Sequence, residues 1–265
     1  MTFHNENKRF ATVQDFGNYL GTLPGSDWSF GATFHNTYIP NISQWRGHYS
    51  MLSMQQTYEQ KDPPWDRGPH CYVAKGAPNP DNDGIWVMTP PNIPGIHAGS
   101  CNGTEESHSG RWGVELVGDF QNFAPTVSQL NLLADTIAEL HIWRNIRQVS
   151  VNAHRDCMPG RTCPGNAFYA IKQTVIDMVN DRLTITPEET WYLWGFMYPL
   201  PTEQRSFGIP QTWYGNMTST GSKLGPAMSF PVYSNNNVIQ LFKNGMIINR
   251  SGQNRIIFYS EFRVP

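Results

Sequence analysis

The chain has 265 residues, a net charge of −2 at neutral pH and a hydrophobic content of 39%, enough for one domain of ordinary size and a small second one. This hydrophobic content excludes a wholly disordered protein, and the balanced charge lacks the cationic excess on which non-specific nucleic-acid binding depends. We therefore expect no nucleic-acid partner. Charged residues make up only 15%, whereas glycine and proline are abundant, so a loop-rich fold with a largely neutral polar surface is expected.

The N-terminal residues lack the apolar segment of a secretory signal peptide, and no run of about 18 apolar residues occurs along the chain. The sequence therefore predicts no membrane insertion and no export signal.

Strands and helices are predicted to alternate in the first part of the chain. A strand at 31–37 is followed by a helix that opens at Ser43. Strands at 71–74 and 84–88 enclose a loop rich in Pro, Asn, Asp and Gly, and we expect them to pair. The strand at 112–117 alternates less cleanly, which indicates a central position in the sheet.

Two helices are predicted after these strands. The first begins with a capping box, Thr126 to Gln129, and its apolar stripe consists of Val127, Leu130, Ala134, Ile137 and Leu140. The second carries on one face Ala167, Ile171, Val175, Met178 and Val179. Strands alternating with helices predict an α/β domain in which helices cover a sheet.

The composition of the sequence changes near residue 184, where prolines and aromatic residues replace the helical pattern of apolar residues. We place a linker at 184–190, between a domain at 1–184 and a small β-rich domain at 185–265. An Asn-Gly turn at 243–245 predicts a hairpin of the strands 238–242 and 246–248. Segments 207–210 and 224–227 are loosely similar and suggest a degenerate repeat.

Three residues form a chemically coherent set. His35 ends the first predicted strand, His154 follows residues 151–153, and Cys163 lies in a loop rich in Pro and Gly. Two imidazoles and a thiolate suit zinc, and they leave the fourth tetrahedral position for water. Singly, a histidine at a strand end is usually an ordinary polar residue, and a lone cysteine before proline is usually a packed apolar one.

At these positions the sequence resembles a known family. His154-Arg155-Asp156 followed by Thr162-Cys163-Pro164-Gly165 resembles the signature of zinc-dependent N-acetylmuramoyl-L-alanine amidases, in the superfamily of phage lysozyme-amidases and peptidoglycan-recognition proteins. The resemblance spans about residues 28–180, and further segments follow in family order: Phe34-His35-Asn36-Thr37, Gly68-Pro69-His70, Gly95-Ile96-His97-Ala98-Gly99 and residues 113–119.

The resemblance implies a central mixed β-sheet flanked by helices, and a Zn²⁺ ion held by His35, His154 and Cys163. It also implies that Glu115 faces the metal-bound water as general acid or base. An unpaired buried carboxylate is costly, so a partner for Glu115 in the site is expected on physical grounds as well.

Other site residues carry over less directly. Arg161 stands where relatives commonly have a Lys or Thr that stabilises the oxyanion, and a fixed positive charge suits that task. Pro69 replaces the catalytic tyrosine of some members, which places more weight on Glu115. His70 and His97 stand where relatives have histidines near the cleft, so we expect them to bind substrate.

The resemblance implies a peptidoglycan hydrolase that cleaves the amide bond between N-acetylmuramic acid and L-alanine, in the manner of a phage or prophage endolysin. We expect a monomer that is made in the host cytoplasm and acts on bacterial peptidoglycan after release. In the C-terminal domain, Leu224-Gly-Pro-Ala227 together with residues 238–247 resembles the LGFP-type repeats of cell-wall proteins. The aromatic residues of this domain suit either sugar stacking or a small core: Trp191, Tyr192, Trp194, Tyr198, Trp213 and Tyr214.

Four alternatives stay open at this point. A binding-only recognition protein would share the fold, and a muropeptide-recycling amidase would share the chemistry. A cysteine peptidase would use Cys163 or Cys157 with His154, and a structural zinc site would be closed by Cys157. Cys71 is expected to be a buried strand residue, and Cys101 has no assigned role. The other histidines are expected to be structural or at the surface: His4, His48, His108 and His141.

Overall fold

The computed structural model describes residues 3–25, 27–104, 109–146 and 148–183, and strand residues 232–234, 237–242, 245–250 and 253–258. The chain divides into two compact units, Met1–Thr184 and Ile185–Pro265. The proposed linker, the loose repeat and the six aromatic residues considered for sugar stacking lie outside the described residues, so those statements stay predictions.

The first unit is built on a six-stranded mixed sheet with the order β1-β4-β3-β5-β2-β6. Strands β2, β3, β5 and β6 run parallel where they pair, and β4 is antiparallel to β1 and β3. The predicted mixed sheet is thus confirmed, with β5 in its interior. The strands are β1 (Lys8–Phe10), β2 (Ser29–Asn36), β3 (Cys71–Ala74), β4 (Gly84–Val87), β5 (Gly110–Leu116) and β6 (Val151–Ala153).

Six helices accompany this sheet in the described part of the first unit. They are α1 (Val13–Leu20), α2 (His48–Glu59), α3 (Val127–Trp143), α4 (His154–Cys157), α5 (Asn166–Ala170) and α6 (Lys172–Leu183). The capping box of α3 forms as predicted between Thr126 and Gln129. None of the helices in the described ranges combines the length and apolar content needed to cross a membrane.

Two helix predictions need correction. The helix expected to open at Ser43 is α2, which begins at His48, because Gly47 takes a φ of +56° that interrupts the helical path. Residues Ile42–Gln44 form a separate 3₁₀ turn capped by Asn41. The helix expected after the Cys163 loop is divided into α5 and α6 at Ile171.

The two faces of the sheet carry different residues because side chains alternate along each strand. Phe34 of β2 and Val114 and Leu116 of β5 join the main core with residues of α1, α3 and α6. His35 and Glu115 are paired in register on these adjacent strands and therefore face the opposite side together. The strand pattern thus separates the packing face from the face that holds the candidate site.

The second unit contains a four-stranded antiparallel sheet with the order β10-β9-β8-β7. The pairing of β8 with β9 forms the predicted hairpin, with Phe242 opposite Gly245; the turn residues 243–244 lie outside the described part. The strands are β7 (Val232–Ser234), β8 (Asn237–Phe242), β9 (Gly245–Arg250) and β10 (Gln253–Phe258).

Candidate metal centre

Parallel pairing brings the two histidines of the predicted ligand set together. β6 pairs with β2 so that Ala153 lies opposite Phe34. His35 is the next residue along β2, and His154 is the next residue after β6 and starts α4. The carboxyl ends of neighbouring parallel strands meet at one edge of a sheet, which is where α/β proteins commonly build sites.

The donor atoms of His35, His154 and Cys163 converge at this edge, all within 4.8 Å of one another. His35 Nδ1 lies 3.0 Å from His154 Nδ1 and 3.7 Å from Cys163 Sγ. Zinc bonds of about 2.0–2.3 Å at tetrahedral angles separate two nitrogens by about 3.3 Å and a nitrogen from a sulfur by about 3.6 Å. The two separations from His35 Nδ1 are therefore close to those of a tetrahedral metal ion.

Arg155 stabilises the loop before Cys163 by hydrogen bonds. Its Nη2 donates to the Thr162 carbonyl at 2.5 Å and to Asn166 Oδ1 at 3.3 Å. The backbone N–H of Asn36 donates to Cys163 Sγ at 3.4 Å, which ties the sulfur to the residue that follows His35. Arg155 thus fixes the loop, and β2 itself helps to hold the thiol.

Asp156 fastens the short helix α4 that begins with His154. Its carboxylate accepts hydrogen bonds from the Ala153 N–H at 2.8 Å, the Tyr169 hydroxyl at 2.8 Å and Lys172 Nζ at 2.7 Å. Although partial burial acts in the opposite direction, these hydrogen bonds hold the pKa of Asp156 below its usual value. The second and third residues of the His-Arg-Asp motif therefore position the first.

Glu115 lies beside the cluster formed by His35, His154 and Cys163. It is paired in register with His35 on the neighbouring strand. Its Oε1 is 3.7 Å from His35 Nδ1, and the residue is 8% exposed. Burial raises the pKa of Glu115 to about 8. A buried carboxylate that can both accept and release a proton near neutral pH suits general acid–base chemistry.

His70 and His97 are held inside the protein. The Gly113 N–H donates to His70 Nδ1 at 2.9 Å, and His70 Nε2 lies 3.1 Å from the Ile93 carbonyl. Burial lowers the pKa of His70 to about 3 and that of His97 to about 4. Both nitrogens of His70 are thus taken by backbone groups, and its contact with substrate stays a prediction.

His97 contacts a member of the cluster. Its Nδ1 lies 2.9 Å from His35 Nε2, and its Nε2 lies 2.9 Å from the Arg111 carbonyl. The residue is 7% exposed. Sequence reasoning placed His97 near the site and assigned it to substrate binding, which stays a prediction; the structure shows both of its nitrogens in contact with protein groups. The partner was missed because His35 is 62 positions away.

Arg161 lies in the exposed turn between α4 and Cys163, where its N–H donates to the Met158 carbonyl at 3.2 Å. The pKa of His154 is lowered to about 4, first by burial and then by the positive charge of Arg161. The guanidinium therefore acts on the cluster electrostatically, from a position open to solvent.

Cys101 and Cys157 form a disulfide. The bond joins the 3₁₀ turn Gly99–Cys101 to the last residue of α4, three residues after His154. Cys157 is therefore neither a free thiol nor a metal ligand, which removes it from the cysteine-peptidase and closed-zinc alternatives. Cys71 is a free and buried strand residue, as the sequence predicted.

Comparisons with known proteins give distant likenesses. No family model matches the chain, and no curated protein gives a significant match. Among solved structures, the N-acetylmuramoyl-L-alanine amidase LysC from Clostridium intestinale URNW is 22% identical, over 60% of this chain and 91% of that one, with a TM-score of 0.43.

Two recognition proteins give similar values. Drosophila peptidoglycan recognition protein SD is 19% identical over 54% of this chain and 79% of that chain, with a TM-score of 0.42. Drosophila peptidoglycan recognition protein SA is 17% identical over 59% and 87%, with a TM-score of 0.44. The function proposed below rests on the cluster's own geometry and on the motifs that surround it.

Proposed function

We propose that this chain is a zinc-dependent amidase that cleaves the bond between N-acetylmuramic acid and L-alanine in bacterial peptidoglycan. The observation that supports this most is the convergence of one ligand atom each from His35, His154 and Cys163 within 4.8 Å, with the Glu115 carboxylate 3.7 Å from His35 Nδ1. The motifs that supply these residues stand in the order found in the amidase family.

Each residue has a distinct task in this reaction. His35, His154 and Cys163 would hold the ion. Bound zinc lowers the pKa of a coordinated water to about 7 and polarises a carbonyl. Glu115 takes the proton of the attacking water and returns it to the leaving amine, which a neutral amide requires. Arg161 supplies positive charge for the developing oxyanion.

A cleft provides room for the part of the substrate beyond the scissile amide. Its volume is about 480 Å³, and its lining consists of Arg67, Pro94, Gly95, Ile96, Asn102, Gly103 and Thr104. The loop that carries His97 forms much of this lining. We propose that the stem peptide lies there, so that the loop that lines the cleft also reaches the cluster.

Two alternatives are less well supported by the residues. A cysteine peptidase needs an activated thiolate, whereas burial, and secondarily the charge of Glu115, raise the pKa of Cys163 above its usual value. A binding-only recognition protein needs no ligand cysteine, yet the Cys163 sulfur lies within the cluster.

The proposal also includes where the protein acts. We propose that it is a monomeric endolysin, made in the host cytoplasm and released onto the wall.

The test is mass analysis of purified peptidoglycan digested with and without a chelator. We expect free stem peptides that begin with L-alanine, loss of this product with chelator, and recovery after zinc is restored. Cleavage of glycan or peptide bonds, or full activity at a chelator concentration that removes the metal, would overturn the proposal. Release of the same products only from soluble muropeptides would favour a recycling amidase.

A further inference from the structure

We propose that His97 is a positioning residue that holds His35 in the tautomer whose Nδ1 lone pair faces the metal ion. The inference rests on the zinc site of the proposed function and assigns a task to a histidine that does not reach that site itself. Its basis is an unbroken chain of short contacts between the Arg111 carbonyl, His97 and His35.

The tautomers of His97 and His35 follow from the Arg111 carbonyl, the group at one end of this series of contacts. The Arg111 carbonyl can only accept a hydrogen bond, so the His97 nitrogen 2.9 Å away, Nε2, carries the proton. A neutral imidazole that carries its proton on Nε2 has an unprotonated Nδ1, which accepts a hydrogen bond. His35 Nε2, at 2.9 Å, must then be the donor, which leaves His35 Nδ1 unprotonated and directed towards His154 and Cys163.

The sheet explains why a carbonyl is available at this point. The Gly113 carbonyl accepts from the His70 N–H on the side of β5 next to β3. Arg111, two residues earlier, presents its carbonyl on the same side. The pairing of β3 with β5 begins only at Cys71 and Val114, so the Arg111 carbonyl has no strand partner there, and the His97 ring takes that place.

The space for the His97 ring depends on a glycine. A Cβ atom on Gly113 would lie 2.5 Å from His97 Cγ, so any side chain there would displace the imidazole. The backbone before the ring is fixed as well, because Asn102 Oδ1 accepts from the His97 N–H at 2.8 Å and the Ala98 N–H at 2.6 Å. The close approach of Gly113, the fixed backbone at residues 97–98 and the contacts with Arg111 and His35 therefore hold the His97 ring in place.

Two substitutions of His97 remove its two ring contacts, with Arg111 and with His35, one at a time. In His97→Asn, the amide oxygen can reach the position of the imidazole Nδ1 and accept from His35, while the contact with Arg111 is lost. In His97→Gln, the amide nitrogen can reach the position of Nε2 and donate to Arg111, while the acceptor for His35 is lost. His141→Gln is the control, because this buried histidine bonds to Ile137 and Ser150, away from the cluster.

The first measurement is zinc affinity by competition with a chelator. Loss of a group that orients a metal ligand typically costs about 10–100-fold in affinity. We expect this loss in His97→Gln, and near-normal affinity in His97→Asn and in the control. Equal weakening in both His97 variants would overturn the proposal, since it would trace the effect to lost packing. So would tight binding by His97→Gln.

The second measurement does not need the metal. Long-range ¹⁵N–¹H correlation spectra of the zinc-free protein report which nitrogen of His35 carries the proton. We expect the Nε2–H form in the wild type and in His97→Asn, and a mixture in His97→Gln. An Nδ1–H form in the wild type would overturn the inference. If both measurements succeed but no muropeptide is cleaved, the proposed function fails while the role of His97 stands.

Discussion

At the scale of single residues, the ligand role of Cys163 can be separated from that of an ordinary buried thiol, because the chain supplies a matched control. Cys163→Ala removes one of three donors, so we expect the purified protein to lose its one zinc ion per chain. Cys71→Ala removes the other free cysteine, which packs in the core, and should retain zinc. Elemental analysis checks both, and full zinc in Cys163→Ala would contradict the ligand assignment.

Glu115 is predicted to act in proton transfer and not in metal binding. Glu115→Gln is nearly isosteric, so the variant should keep its fold and its zinc. Turnover of a soluble muropeptide should fall by about 10²–10⁴-fold, the usual value of general acid–base assistance. Circular dichroism and zinc content are the controls. A variant that turns over at close to the normal rate would remove Glu115 from the mechanism.

Asp156 gives a prediction with a defined pH window. Asp156→Asn loses the charged partner of Lys172, and we expect the free energy of unfolding of the zinc-free protein to fall by about 1–2 kcal/mol near neutral pH. The folded-state pKa of Asp156 lies below the unfolded value. The stabilisation is therefore present above about pH 4 and is lost as the pH falls through the folded pKa.

Denaturant unfolding of both proteins from pH 7 down to pH 3 measures this difference. The two curves should converge at the acidic end. A constant difference across the range would mean that the carboxylate's charge does not contribute, and that the loss comes from altered packing around α4.

At the scale of elements, the sequence predicts those whose signal is local. The capping box at Thr126 and the apolar stripe behind it locate α3, and the predicted strand Cys71–Ala74 matches β3. The short strand β1 was missed, because its three residues are stabilised by pairing with β4, 74 or more positions away. The true start of α2 depends on the backbone angle of Gly47, which composition does not reveal.

The Cys101–Cys157 disulfide is an element-level link that spacing did not predict. It joins the loop carrying His97 to the helix carrying His154, across 56 positions. In the chain-entropy model a loop of this length corresponds to about 4 kcal/mol, and measured effects are typically about 2–4 kcal/mol. Such bonds are rare in a reducing cytoplasm, so under the proposed cytoplasmic synthesis and later release we expect this one to form after release.

The double variant Cys101→Ser/Cys157→Ser should therefore unfold at lower denaturant concentration than the oxidised wild type. A phosphine reductant should shift the wild type to the same midpoint and leave the double variant unchanged. A wild type whose unfolding midpoint does not respond to complete reduction would contradict this expectation.

At the scale of the whole molecule, the candidate site lies within the first unit. His35, Glu115, His154 and Cys163 all precede the boundary at Thr184. Motif order predicted these residues as a site, and the structure brings them together. The contacts that position them, such as His97 with His35, join residues distant in sequence, so only the folded sheet reveals them.

The last prediction assigns catalysis to the first unit and wall binding to the second. A protein ending at Leu183 contains every proposed catalytic residue, so it should fold, hold zinc and cleave soluble muropeptides at a rate similar to that of the full chain. If the second unit binds the wall, the shortened protein should be slower on intact walls, because tethering raises the local substrate concentration without altering the chemistry. Rates on both substrates, measured for both proteins, decide the matter. Equal rates on walls would leave the second unit without a binding role, whereas loss of activity on soluble substrate would mean that its aromatic residues support the first unit.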